Sequence, residues 1–279
     1  MDEIMKASAE MSAIIPELWS AAFYPQLLAK LPFTDSVARD YEGEISNLGD
    51  TVNISSVPQF DEAQEINEAE AVSADGVTIS GQQLVINKQV AKDYILTKKA
   101  LKQSIDAQNA LRDMALYAIL KKMQSVIIAE IAPSAAAPDH TIAYGAGTTL
   151  ALSDILSAKE LLDTADVEEI GRNMVLGAAQ WNDLFNITGF VSRDYIANGN
   201  PMTSGTIASP VLGFAPKWTS VAGSTSYFFH PLMLQLAVQQ MPEVEVLSLG
   251  ADGKRATRVN MDVLFGVKQM SNLRVVTIA

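Results

Sequence analysis

The chain has 279 residues, 48% of them hydrophobic and 19% charged, so it can bury a core and is not disordered by composition. It contains no cysteine, which excludes disulfides, thiolate metal sites and cysteine nucleophiles, and no apolar run approaches the roughly 20 residues of a membrane-spanning helix. A formal net charge of −12 argues against a general affinity for nucleic acid, because binding phosphates needs a basic surface. The opening Met1-Asp2-Glu3-Ile4-Met5-Lys6 has no basic region followed by an apolar stretch, so an intracellular origin is expected.

Residues 1–38 form an arm rich in apolar and aromatic side chains. Ile15, Trp19, Phe23 and Leu27 recur every four residues, which predicts a short helix. Pro16 suits its first turn, whereas Pro25 bends or ends it. Trp19, Phe23 and Tyr24 are the expected anchors of this arm, on its own domain or on a neighbouring copy. Residues 39–60 read as extended chain, with a strand expected over Thr51–Val57 after the Gly49-Asp50 turn. A second β-like piece covers Val77–Ile86. Between them lies an acidic stretch with Asp61, Glu62, Glu65, Glu68 and Glu70, expected to be a long protruding hairpin or loop; such loops are usually functional.

Leu84–Leu96 is β-like, and Lys98–Gln103 is expected to form one or two helical turns. The strongest helix signal follows. Asp106 is the expected N-cap, and Leu111, Met114, Ala115, Ala118, Ile119, Met123, Val126, Ile127 and Ile131 repeat at helical spacing up to Pro133. Such a helix is roughly 38 Å long. Pro133–Leu150 reads as a connection, Ser153 opens an amphipathic helix, Asn173–Gly177 is a short strand and Ala178–Phe185 a helix. Gly189–Pro210 reads as a polar loop, and Val211–Ser220 as a strand. Pro231–Gln240 reads as a helix stopped by Pro242. Glu243–Leu249 and Thr257–Phe265 alternate around Gly250-Ala251-Asp252-Gly253 as a hairpin, and Arg274–Ile278 is a last strand. The order is mixed α+β, without the regular alternation of a doubly wound sheet.

No enzyme signature stands out. His140 beside Asp139 and His230 before Pro231 read as structural, since neither sits in a recognisable catalytic pattern. Gly145-Ala146-Gly147 lacks the third glycine of a dinucleotide loop, and the acidic run lacks the ligand spacing of a calcium loop. No catalytic residue, cofactor or metal site is therefore expected. The charge layout is more informative. Asp40 to Asp75 carries ten acids and no base, while Lys88 to Lys122 carries eight bases and three acids. Two solvated faces would account for this. So would pairing between copies, with Lys98, Lys99, Lys102 and Arg112 receiving the acidic loop, where complementary fields set register.

In its order of features the chain resembles the tailed-bacteriophage major capsid proteins of the Hong Kong 97 fold. The resemblance starts at Ile15-Pro16-Glu17-Leu18-Trp19-Ser20 and runs through Val37-Ala38-Arg39-Asp40-Tyr41-Glu42-Gly43 and Gly49-Asp50-Thr51-Val52-Asn53-Ile54. It continues with the Asp106–Ile131 helix, which is similar to the family's long spine helix, and with Leu212-Gly213-Phe214. It ends with Ala237-Val238-Gln239-Gln240-Met241-Pro242-Glu243-Val244-Glu245 and Leu264-Phe265-Gly266-Val267-Lys268.

The resemblance implies an N-terminal arm (1–38), an extended β-hairpin loop with flanking strands (39–88) and a peripheral domain with the spine helix (89–132). An axial domain (133–242) and returning strands of both domains (243–279) complete it. It implies a non-enzymatic virion subunit that forms pentamers and hexamers of an icosahedral shell, enclosing double-stranded DNA without sequence-specific binding. Assembly in the host cytoplasm with a separate scaffolding protein and a portal is implied, with room for a decoration protein and no membrane. An encapsulin-like nanocompartment shell is the alternative. Some relatives crosslink through a lysine on the extended loop; Asp61 to Asn87 contains no lysine, so non-covalent contacts are expected.

Overall fold

The structure is a computed structural model in which residues 31–41, 51–56, 63, 65, 76–97, 105–187, 207, 210–248 and 256–279 are described; for 105–110, 241–244, 246 and 248 only the backbone is. Strand β1 (Thr51–Ser56) pairs antiparallel with β2 (Ser80–Val85), from Thr51 opposite Val85 to Ser56 opposite Ser80. This is the base of the expected long hairpin. The β-like run expected over Leu84–Leu96 is interrupted at Ile86-Asn87, where β2 ends and β3 (Lys88–Thr97) begins.

β3, β9 (Ala256–Gln269) and β8 (Leu234–Ser248) form an antiparallel sheet with β9 in the centre. Helix α1 (Ile105–Glu130), 26 residues long, contacts β3 and β9. At 1.5 Å per residue it spans about 39 Å. Two periods meet at this contact. Val259, Met261, Val263, Phe265 and Val267 alternate inward along β9, while Ala115, Ile119, Met123 and Ile127 recur every four residues on α1. Each such burial of a Val, Ile, Met or Phe side chain contributes roughly 1.5–3 kcal/mol. The helix begins one residue before Asp106, which is therefore not its cap; helix limits differ by a residue or two between definitions.

A second sheet has the order β4 (Thr141–Ile142), β10 (Val275–Ile278), β7 (Ser226–Phe229), β5 (Asn173–Leu176) and β6 (Ala215–Trp218). Its three inner strands are buried at every position, as strands covered on both faces must be. Val175, Tyr227, Phe229 and Val275 join the core of α1. Met174, Leu176, Phe228, Val276 and Ile278 join a second core with Ile155, Ala158 and Leu162 of α2 (Leu152–Thr164) and Trp181 of α3 (Ala178–Asp183). The inner sheet thus ties the two cores together.

Two expectations are corrected. Pro231–Gln240 is not a helix: a single 3-10 turn, Pro231–Met233, leads into β8. Leu234, Leu236, Ala237 and Val238 fit either period, and the long-range partner decides. β8 takes the ladder to β9, and Leu236 N–H also donates to Ala38 C=O at 3.0 Å. Pro242 does not end the element. It lies inside β8 where the register shifts between Gln240 and Glu243, a place that tolerates a missing N–H. Val211–Ser220 is a strand only over Ala215–Trp218. Before it, Val211 and Phe214 exchange backbone hydrogen bonds of 2.8 and 2.9 Å around a turn in which Leu212 (φ 50°) and Gly213 (φ 88°) are left-handed.

Candidate functional site

The surfaces singled out by the sequence are the acidic loop, the basic segment and the arm. The root of the acidic loop is built by close packing. Leu84 is fully buried and Ile86 nearly so, in a small cluster with Ala237, Val52, Ile54, Tyr41 and Leu264. There β2 crosses β9 at Gly266, where a Cβ would lie 2.5 Å from the Val85 carbonyl oxygen and 3.0 Å from its carbon. Only glycine permits this approach of two backbones. Gln82 Nε2 donates to Met270 C=O at 3.1 Å, and the Ser56 and Ser80 hydroxyls meet at 2.8 Å. Further out, Val77 and Ile79 are 53% and 64% exposed, and Glu65 is exposed. Asp61, Glu62, Glu68 and Glu70 lie outside the described residues.

Of the basic residues, Lys98, Lys99 and Lys102 also lie outside the described residues. Arg112 is on α1, half-exposed, 3.7 Å from Asp113. An exposed pair of that kind contributes about 0–1 kcal/mol. Burial pushes the Tyr94 hydroxyl up in pKa, and the nearby Arg112 charge partly offsets it. Glu65 and Arg112, the two described members of the expected pairing, are thus both solvent-facing.

Trp19, Phe23 and Tyr24 lie outside the described residues as well. The first described anchor of the arm is one that sequence reasoning did not single out. Phe33 is fully buried, stacked on Phe229 at 5.7 Å and 11°, and edge-on to Tyr227 at 5.3 Å and 84°. Next to it Lys217 Nζ donates to Ser36 Oγ at 2.6 Å, and Ala38 bridges to Gln235 beside β8. The only hint in the sequence was an aromatic directly after Pro32.

Between α2 and β5 a tight loop is held by charge. Arg172, only 2% exposed, donates to Asp163 Oδ1 at 2.6 Å, to Val167 C=O at 2.6 Å and to Glu168 C=O at 3.0 Å. Arg274 pairs with Glu168 at 2.9 Å, and Lys159 with Asp163 and Glu169. His230 stands beside this network and caps the Pro231 turn, its Nδ1 accepting from Leu232 N–H at 3.3 Å. Burial holds the His230 pKa below its ordinary 6.5, with Glu168 opposing. A backbone hydrogen bond from its own N–H keeps Glu168 below its ordinary 4.5, burial opposes this, and Arg274 adds to the lowering.

Both folded values are depressed, so the stabilisation is complete above pH 6.5 for His230 and above 4.5 for Glu168, and is lost as pH falls through each folded value. We expect the thermal midpoint of the unassembled subunit to fall between pH 7 and pH 5. His230→Asn, which keeps a capping acceptor, should flatten that slope; an unchanged slope would exclude His230 as its source.

His140 and Asp139 do not form a dyad. His140 is fully buried with Nδ1 3.0 Å from Val275 C=O, while Asp139 Oδ1 accepts from Thr141 N–H at 2.8 Å. Among the described residues no group of three or more metal-binding side chains occurs, and no helix is long and apolar enough to cross a membrane.

A family model described as phage capsid protein matches residues 42–279. No curated protein matches the sequence. The fold is similar to solved phage structures. One from Mycobacterium phage Che8 is 22% identical with a TM-score of 0.74, over 95% of this chain and 96% of the other. The capsid structure of cyanophage P-SCSP1u is 10% identical with a TM-score of 0.72, over 96% and 93%. The capsid asymmetric unit of cyanophage Pam1 is 15% identical with a TM-score of 0.71, over 96% of both chains.

Proposed function

Because this chain belongs to the phage capsid protein family, we propose that it is the major shell subunit, assembling as pentamers and hexamers into an icosahedral shell around double-stranded phage DNA. Its mixed helix and strand architecture is of the Hong Kong 97 type. The single observation that carries the reading furthest is the hairpin of β1 and β2. It is rooted on the three-stranded sheet by buried Leu84 and Ile86, yet bears Val77 and Ile79 open to solvent. A neighbouring copy would cover them.

In this reading the three-stranded sheet and α1 make the peripheral unit, and the five-stranded sheet the axial unit. The axial unit would then end at 233 rather than 242, because β8 pairs with β9 from Leu234 onward. The acidic balance keeps packaged DNA from adhering to the shell. A separate scaffolding protein and a portal act in assembly in the host cytoplasm.

Expression of the chain with its assembly factors, followed by electron microscopy, tests the proposal. Closed shells of pentamers and hexamers are expected, and DNA inside particles from infected cells. Small monomers under all assembly conditions would overturn it, and shells holding an enzyme cargo and no DNA would favour a nanocompartment. Boiled mature particles should run as monomers on denaturing gels; a ladder of oligomers would contradict non-covalent assembly.

The acidic loop is proposed to meet the basic segment of a neighbour, Glu65 and Glu68 facing Lys98, Lys99, Lys102 and Arg112. Each exposed pair contributes about 0–1 kcal/mol, and the terms repeat over the lattice. Reversing Glu65 and Glu68 to Lys should impair assembly or shell stability. Normal shells from the single and double variants would refute the pairing.

A further inference from the structure

A basic ridge runs along the outside of the peripheral unit. Lys88 and Lys92 lie on β3, an edge strand, and both are exposed. By alternation they share a face with Val90 and Tyr94, which pack toward α1. Lys121 and Lys122 are exposed on α1, the helix that contacts β3. Tyr94 feels the Arg112 charge, which sets that strand residue beside that helix residue. From there Lys88 is about 20 Å back along the strand, and Lys121 about 14 Å on along the helix. None of the four lysines forms an ion pair among the described residues. The acids next to them in sequence are engaged elsewhere, Asp93 with Arg258 and Asp113 with Arg112.

The surroundings of the lysines favour one kind of partner. Contacts between proteins are depleted of lysine and centre on aromatic or large apolar anchors. Here Ser125 and Ala129 are the exposed neighbours on α1, and its exposed large aliphatic, Leu111, lies near the other end. Phosphates need only positive charge, which lysine carries on a flexible stem. The net charge of −12 does not forbid such a contact. At physiological salt, exposed charges more than about 8 Å away are largely screened, so the local sign decides. The acidic remainder keeps the contact weak and confined to the ridge.

We propose that Lys88, Lys92, Lys121 and Lys122 form a seat for the phosphate backbone of duplex DNA, independent of base sequence. That this DNA is the enclosed genome rests on the shell reading; the phosphate seat itself does not, and the two are tested separately.

The seat is tested on the unassembled full-length chain, by fluorescence anisotropy of a short labelled DNA duplex at rising salt. Four neutralised phosphates predict that log affinity falls against log salt with a slope of about −3.6. Combining Lys88→Gln, Lys92→Gln, Lys121→Gln and Lys122→Gln should weaken binding at low salt at least about tenfold and remove most of that slope. Combining Lys6→Gln, Lys30→Gln, Lys254→Gln and Arg255→Gln changes the net charge equally and should leave both nearly intact. Equal losses in the two variants, or no salt-dependent binding by the unaltered chain, would overturn the proposal. Lysine acylation read by mass spectrometry then tests the genome contact. The four lysines should react about threefold more slowly in DNA-filled shells than in empty ones. Equal rates in filled and empty shells would count against the contact. So would equal protection in both relative to the free subunit, which would mean that another copy covers the ridge. Absence of shells would sink the shell reading alone, since the anisotropy result does not depend on it.

Discussion

Replacing Phe33 with alanine is expected to lower the unfolding free energy of the subunit by about 3–5 kcal/mol. The side chain is fully buried and touches the two aromatic residues of β7 that face the α1 core, Phe229 and Tyr227. It belongs to the same cluster as Ile119, Met123 and Ile127 of α1 and Phe265 of β9. Its loss therefore leaves a cavity where helix, both sheets and the arm meet, a place where no single element can relax to fill it. A domain is stable by only about 5–15 kcal/mol, so the variant should be close to unfolding at physiological temperature. Urea denaturation of the unassembled subunit measures this. Phe33→Leu should lose less than half as much, and a loss below about 1 kcal/mol for the alanine variant would mean that the arm entry is not part of the core.

Gly266 should tolerate nothing larger. A Cβ there meets the Val85 carbonyl at 2.5 Å, and both groups are backbone. β9 cannot retreat, because Gly266 is opposite Ala237 of β8 and the neighbouring Phe265 is opposite Lys88 of β3. The adjustment must fall on β2, lifting Leu84 and Ile86 from their cluster with Ala237. Gly266→Ala should cost about 1–3 kcal/mol and Gly266→Val more, as overpacking does. The local effect separates this from general destabilisation. Amide exchange should accelerate first over residues 80–86, and shell yield should drop while α1 remains protected. A Gly266→Ala subunit with native stability and protected β2 amides would show that the crossing is looser than its geometry.

Local pattern carried much of the architecture. The helical spacing from Leu111 to Ile131 was legible because Ala115, Ile119, Met123 and Ile127 recur every four residues on the buried side of α1, and the 257–265 alternation because β9 has one covered face. The 231–240 segment was not legible. Its apolar residues satisfy both periods, and only pairing with β9 chooses between them. The candidate site was less readable still. Acidic and basic runs can be counted from the chain, but which surfaces face each other depends on a neighbour's position.

Composition and charge separation are properties of the chain alone, and the order of arm, acidic stretch, long helix and terminal hairpin carried its resemblance to the phage capsid proteins. Three features belong to the folded molecule. Phe33 is an anchor only because Phe229 and Tyr227 arrive from almost 200 residues away. Gly266 is required only because β2 crosses it. Arg172 can be buried only because Asp163 and two carbonyls converge on its guanidinium. The first two are contacts between segments far apart in the chain, and the third depends on how a single loop closes on itself. Periodicity reports which face of an element is apolar; it cannot report what that face will meet.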